Sequence, residues 1–180
     1  MNSRDIWSHG GRRSDLKDLL SSSFAMLLLA EECKDPIYLA SPWITDFYLF
    51  ENSFKQFSAL FPEIGEKSRI LFSDYLVRLG ESRKVRIITR KDKFSEDFLA
   101  QKKLEGSALI DVRFSDDVFH EKGILTPFFY IFGSMNLTYS GLTINGEKIT
   151  YYSAESSEGK SKIGHTYVEF NNLWESLAKE

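Results

Sequence analysis

The sequence predicts an α/β fold built on a mixed β-sheet. Short apolar runs at 37–40, 85–89 and 109–114 alternate with stretches of helical spacing. Two later runs, 118–125 and 128–132, flank a tight Thr126-Pro127 turn, as a hairpin requires. Alternating units favour parallel strands, and a late hairpin adds antiparallel ones.

Each element has its own justification. Residues 1–13 are polar, carry Gly10-Gly11 and Arg12-Arg13, and are expected to be flexible. Ser14 is a candidate N-cap, with Asp15 in the first turn of a helix that runs to Cys33 and stops at Asp35-Pro36. Ile37-Tyr38-Leu39-Ala40 reads as a buried strand before the loop Ser41-Pro42-Trp43. Residues 46–61 are rich in Phe and weakly helical, 62–65 form a break, and 68–79 read as a helix closed by Gly80. A strand at 85–89 is followed by a charged loop at 90–93, and Ser95 opens the next helix, with Glu96-Asp97 in its first turn. After the hairpin come a strand at 148–152, a polar loop at 153–162 and an amphipathic helix at 163–178.

The bulk composition narrows the function classes. A chain of 180 residues suits one domain, 1–180, and 42% hydrophobic with 27% charged residues places it among soluble globular proteins. Fifteen Phe and eight Tyr point to a core dominated by aromatic packing. A formal charge of −3 argues against a basic nucleic-acid-binding coat, yet leaves room for a local basic groove. The single cysteine, Cys33, excludes an intrachain disulfide, fits a reducing cytoplasm, and sits in an apolar stretch as a core residue. No apolar signal segment opens the chain, and the longest apolar run, 24–30, falls short of the about 20 residues a bilayer span needs. A cytoplasmic protein with no stable membrane association is expected.

The chemistry concentrates in three stretches: Phe119-His120-Glu121-Lys122, Phe132-Gly133-Ser134-Met135-Asn136-Leu137-Thr138 and Asn145-Gly146-Glu147. On a strand, His120 and Lys122 would point to one face, and the hairpin would return Gly133 to Asn136 beside them. An imidazole, an ammonium, a hydroxyl and a carboxamide then converge. That set suits a phosphodiester, which needs a nucleophile, a proton donor for the leaving oxygen, and donors aimed at the non-bridging oxygens. One histidine without neighbouring Cys or paired carboxylates is a poor metal-ligand set, so neither metal nor cofactor is expected.

His-x-Lys followed after a short strand by Gly-Ser-x-Asn resembles the catalytic signature of the phospholipase D superfamily. Leu137-Thr138, Gly141-Leu142, Asn145-x-Glu147 and the early strand and loop 37–42 resemble other parts of that family. The resemblance implies a mixed sheet flanked by helices on both faces. It also implies a metal-independent mechanism in which one histidine attacks phosphorus and a second protonates the leaving group. The second histidine comes from a second copy of the motif, and this chain has one copy, since neither His9 nor His165 is followed two residues later by Lys. A homodimer meeting through the active-site face, each chain lending His120, meets that need. By the same resemblance His120, Lys122, Asn136, Ser134 and Glu147 are the catalytic set, with Glu147 orienting His120. The family's Asp, five residues after the Lys, is Pro127 here, and the gap to Gly133 is one residue shorter.

Around this set, Gly133, Arg90 at a strand end and Trp43 after Ser41-Pro42 are candidate substrate-binding residues. The basic groups Arg83-Lys84-Arg86 and Lys102-Lys103 are ordinary solvated charge unless the fold gathers them. His9 reads as disordered and His165 as a surface or packing residue of the closing helix. Three functions follow: a nuclease acting on DNA or RNA, a catalytically silent nucleic-acid-binding or assembly subunit, and a phospholipid hydrolase, disfavoured by the lack of a membrane-binding segment. A role in bacterial defence is an extrapolation from the type of protein, with no residue behind it.

Overall fold

The computed structural model describes residues 3–8, 13–30 and 34–177, apart from the side chains at 13, 14, 102 and 105. The readings made for His9 and Cys33 fall outside these residues.

Runs with no polar face must be covered on both sides, which puts them in the middle of a sheet. Strand β2 (Ile37–Ala40) is buried at every position and pairs in parallel with β5 (Val85–Arg90). Beyond β5 lies β6 (Ile110–Ser115), also parallel. On the other side β2 is antiparallel to β7 (Gly123–Leu125), followed by β8 (Phe129–Gly133), β9 (Lys148–Ser153) and β1 (Ser3–Trp7). The described sheet therefore has seven strands in the order β1-β9-β8-β7-β2-β5-β6.

Alternation along the strands divides the interior into two layers. Ile37, Leu39, Ile87, Ile124, Ile131 and Ile149 face helix α1 (Arg13–Leu29), α2 (Phe72–Leu79), α3 (Lys93–Leu99) and α5 (Tyr139–Thr143). A short helix α4 (Lys102–Glu105) links α3 to β6. Tyr38, Ala40, Ile88, Leu125 and Tyr130 face the other way, onto Ile163, Phe170 and Trp174 of α6 (Ser157–Ser176). Helices thus cover both faces of a mixed sheet, as predicted.

Several elements depart from the sequence reading. Residues 3–7 of the segment expected to be flexible form edge strand β1, paired with β9 from Ser3↔Tyr152 to Trp7↔Lys148. Its side chains are mostly exposed, so no apolar pattern marks it. The Phe-rich segment is not helical: Tyr48–Glu51 is strand β3, and Ser58–Leu60 is one short 3-10 turn. Strand β4 (Arg69–Leu71) pairs with β3 and takes three residues from the expected helix at 68–79. Asp92, rather than Ser95, caps α3, accepting from Phe94 N and Ser95 N. Helix α6 begins at Ser157, because the Ser156 hydroxyl caps it through Gly159 N, well before the polar loop was expected to end. Strand β7 holds only three residues, so His120 and Lys122 lie on the extended approach to it rather than within it.

Candidate active site

The β7–β8 hairpin sets the frame. Its turn closes through Thr126, a fully buried residue whose hydroxyl accepts from Phe128 N at 3.2 Å and Phe129 N at 2.9 Å. Thr126 N also donates to Phe129 O at 2.9 Å. Pro127 has no N–H to satisfy and its fixed φ suits the second turn position. Thr126 therefore supplies the turn-binding oxygen that an Asp at 127 would otherwise be expected to bring.

The hairpin register sets Gly123 against Phe132 and brings Lys122 beside Gly133, whose N–H approaches Lys122 O at 3.4 Å. Lys122 Nζ folds back to donate to His120 O at 2.9 Å, while the imidazole of His120 stays exposed. Lys122 is half-buried, and its pKa falls below the usual lysine range. Burial is the main cause and the charge of Arg90 the next, with the Glu147 carboxylate opposing both. These causes place Arg90 and Glu147 within electrostatic reach of the ammonium.

Arg90 is well anchored at the end of β5. Its Nε donates to Phe119 O at 2.7 Å, and its guanidinium stacks on Trp43 at 5.1 Å from the ring centroid. Below it, Thr89 Oγ1 lies 3.1 Å from Ser95 Oγ, which donates to Asp92 Oδ2 at 2.7 Å. Trp43, Arg90 and the His120 approach thus form one connected edge of the site.

The opposite edge depends on a glycine. Gly133 has φ +155°, and a Cβ there would meet Lys148 O at 2.1 Å, so only glycine lets β8 lie this close to β9. The close approach delivers Ser134, whose hydroxyl donates to Glu147 Oε2 and accepts from Lys148 N at 3.0 Å. Glu147 is buried, and its backbone is held by Ser8: Glu147 N donates to Ser8 Oγ at 2.8 Å and Ser8 N to Glu147 O at 2.9 Å. After Ser134 the chain turns inward, with Leu137 N donating to Ser41 Oγ at 3.0 Å. Gly141 packs so tightly on Asn136 that a Cβ would sit 2.4 Å from Asn136 O. Asn136 Oδ1 is buried with no hydrogen-bond partner among the described residues. An orphaned buried amide oxygen is costly unless something binds it.

The predicted set is therefore partly assembled. His120, Lys122 and Gly133 line one groove of about 410 Å³. Ser134 and Glu147 form a bonded pair near Lys122. Arg90 and Trp43 flank the set. The carboxylate expected to orient His120 is bonded to Ser134, and no hydrogen bond joins Glu147 to the imidazole. Asn136 lies on the loop after Ser134, without a bond to the other four. Sequence reasoning missed Ser8, Ser41 and Thr126, whose roles are hydrogen bonds to residues far along the chain or within a turn. It also missed Tyr130, which lines the His120 groove. Of the basic groups, Arg83 is buried, with Nη2 donating to Ala30 O at 2.6 Å, and Arg86 bonds Tyr38 and Asn171, so that run ties the interior. Among the described residues no three His, Cys, Asp or Glu gather as metal ligands. No helix among them is long and apolar enough to cross a membrane.

No known family profile matches the sequence, and no curated protein does. Solved structures do match along the full chain. NucT from Helicobacter pylori superposes with a TM-score of 0.65 at 12% identity, covering 99% of each chain. Nuc from Salmonella typhimurium, a phospholipase D family member, gives 0.59 at 14% identity, covering 99% of this chain and 97% of its own. The fold is phospholipase D-like. Phosphatidylserine synthase from Haemophilus influenzae also superposes, at a TM-score of 0.59 and 14% identity, over 99% of this chain and 40% of its own. The archaeal chromatin protein TrmBL2, described as having a novel mode of DNA binding, gives 0.58 at 14% identity, over 100% of this chain and 54% of its own.

Proposed function

We propose that this phospholipase D-like chain is a metal-independent phosphodiesterase that hydrolyses nucleic acid at a site shared by two subunits. The observation that carries the reading is the convergence of His120, Lys122 and Gly133 on one groove, with the Ser134–Glu147 pair beside Lys122. The exposed imidazole of His120 is free to meet a second copy on a two-fold axis. Full-length similarity to NucT and Nuc, rather than to half of a longer enzyme, favours the nuclease branch over a phospholipid substrate.

In the proposed reaction a neutral His120 nitrogen attacks phosphorus. The bond from phosphorus to the leaving oxygen breaks, and that oxygen takes a proton from the imidazolium of His120 of the partner subunit. The partner imidazole, now neutral, accepts a proton from water. The hydroxide attacks phosphorus, the phosphorus–nitrogen bond breaks, and both histidines return to their starting states. Lys122 and the amide of Asn136 hold the non-bridging oxygens, where charge collects. Ser134 and Glu147 lock the β8–β9 edge of the site.

The test is cleavage of single- and double-stranded DNA and RNA in excess chelator, wild type beside His120→Ala, with the mass in solution measured by light scattering. Wild-type cleavage lost in a folded variant, together with a dimer mass, supports the reading. Equal cleavage by both proteins would refute the role of His120, and a monomer at active concentrations would refute the shared site. A second reading, a silent nucleic-acid-binding subunit, draws on the likeness to the chromatin protein TrmBL2. Tight binding without turnover would favour it.

A further inference from the structure

Strand β6 ends the sheet: β5 pairs with one side of it, and no described strand pairs with the other. Leu109 O accepts from Val85 N at 2.8 Å, and in a parallel ladder that phase also turns the backbone groups of Asp111 and Arg113 toward β5. Those of Ile110, Val112 and Phe114 point off the edge. Ile110 N returns to Ser107 O at 3.3 Å, which leaves Ile110 C=O and both groups of Val112 and Phe114 without a backbone partner among the described residues. Free edges are commonly blunted by a short strand, a bulge, a proline or charge. β6 has six residues in unbroken register with β5, and its only guards are Asp111 and Arg113, one of each sign. The edge lies in a trough of about 630 Å³, between Leu99 and Ala100 on one side and Trp174 and Glu175 on the other.

The two faces of β6 differ. Ile110 and Val112 pack on the core layer that α3 covers, and Phe114 follows them by alternation. Asp111 and Arg113 face α6, where Arg113 lies 4.5 Å over the Trp174 ring. Within the chain both charges are loosely held: Asp111 is 3.7 Å from Lys84, and Arg113 is 3.9 Å from Glu175, itself 69% exposed. We propose that a second copy of the chain pairs with this edge, β6 antiparallel to β6, about a two-fold axis at Val112. Val112 then exchanges both backbone hydrogen bonds with Val112 of the partner subunit, and Phe114 N donates to Ile110 of the partner subunit. Asp111 stands opposite Arg113 of the partner subunit, twice over, in the pairs whose side chains lie closest. The other face joins Ile110, Val112 and Phe114 of both copies in one apolar row. An axis at Ile110 or Phe114, the other outward positions, would set Asp111 against Leu109 or Arg113 against Ser115 and lose both ion pairs. A foreign strand would need a basic residue, an apolar one and an acidic one in that order, and β6 itself supplies them. Because β6 runs toward the His120 loop, antiparallel pairing sends the two loops to opposite ends of the joined sheet. The edge contact is therefore distinct from the shared-site contact proposed above and does not depend on it.

Light scattering over a concentration series, on wild type and Asp111→Lys, tests the pairing. The variant sets like charges opposite each other and is expected at no more than half the wild-type mass at high concentration, with an unchanged circular dichroism spectrum. If the shared-site dimer exists, wild type exceeds a dimer and the variant stops at one. If it does not, wild type reaches a dimer and the variant stays a monomer. The second test is Val112→Cys in a Cys33→Ser background. Cα atoms of such a pair lie about 5.5 Å apart, within the span of a disulfide, so mild oxidation is expected to join the two chains. Ser115→Cys is the control, since its two copies would lie about 20 Å apart and stay separate. A mass series unchanged by Asp111→Lys, or a folded Val112→Cys protein that does not crosslink, would overturn the self-pairing. So would a wild-type mass that never rises with concentration, which would leave the edge to a strand of another sequence.

Discussion

Replacing Gly133 with Ala tests how the candidate site is held, because the position joins the close approach of β8 and β9 to the Ser134–Glu147 pair. The added methyl would sit 2.1 Å from Lys148 O and 2.8 Å from Ile149 Cα, both backbone atoms that no rotamer change can move. Strands β8 and β9 must therefore part by about an ångström to reach ordinary contact near 3.4 Å. Two hydrogen bonds lie at the point of separation: Ser134 N to Lys148 O at 2.9 Å and Lys148 N to Ser134 Oγ at 3.0 Å. Losing them costs about 1 kcal/mol each. A side chain at this positive φ adds about 1–3 kcal/mol. The total of about 3–5 kcal/mol is a large share of a typical stability, and at this chain length it lowers Tm by roughly 6–20 °C. Scanning calorimetry checks the shift, and hydrolysis should fall with it because Ser134 moves off Glu147. Gly164 is the control: it lies on the exposed face of helix α6, an added methyl meets nothing within 4 Å, and Ala there should stabilise by up to about 1 kcal/mol. A Gly133→Ala protein melting within about 2 °C of wild type, or both variants shifting alike, would refute the reasoning.

Two further outcomes follow from the same geometry. Thr126→Val removes the acceptor that holds Phe128 N and Phe129 N, and should destabilise by about 2–4 kcal/mol in urea unfolding. Pro127→Asp, in contrast, should give no gain in hydrolysis, since Thr126 already meets the turn's donors. Lys122 has a folded pKa below its unfolded one, so folding disfavours its charge. That cost is present at neutral pH and fades as pH rises through the depressed value. Lys122→Met should therefore raise Tm at pH 7 by more than near the ordinary lysine pKa, about 10.4, while abolishing hydrolysis. A Tm change that does not depend on pH would contradict the sign.

The parts legible in the sequence were those coded locally. Strand β2 announces itself as an unbroken apolar run, β5 as a β-branched run interrupted by Arg86, and the hairpin by its turn residues. The site residues could be singled out because His-x-Lys and Gly-Ser-x-Asn are short, fixed spacings. What was not legible depends on partners far along the chain. The segment at 48–51 is extended only because 69–71 pairs with it, and its Phe residues match either state. Strand β1 is polar and exposed on an edge, so it carries no periodic signal. The bond that Glu147 makes was not legible for a related reason. Spacing relates residues along one strand, whereas the Ser134–Glu147 bond depends on how closely Gly133 lets two strands approach.

The bond pattern at Ser8 bears on the order of synthesis. Strand β1 leaves the ribosome first, but its partner β9 is made some 140 residues later, and Ser8 grips the backbone of Glu147 across that interval. Loop closure over such a span must wait until β9 is made. The carboxylate that holds Ser134 is thus fixed only when β1 and β9 are both in place. Under the proposed nuclease activity the chain emerges beside messenger and ribosomal RNA, and this topology leaves every nascent chain that stops short of β9 without the Glu147–Ser134 bond.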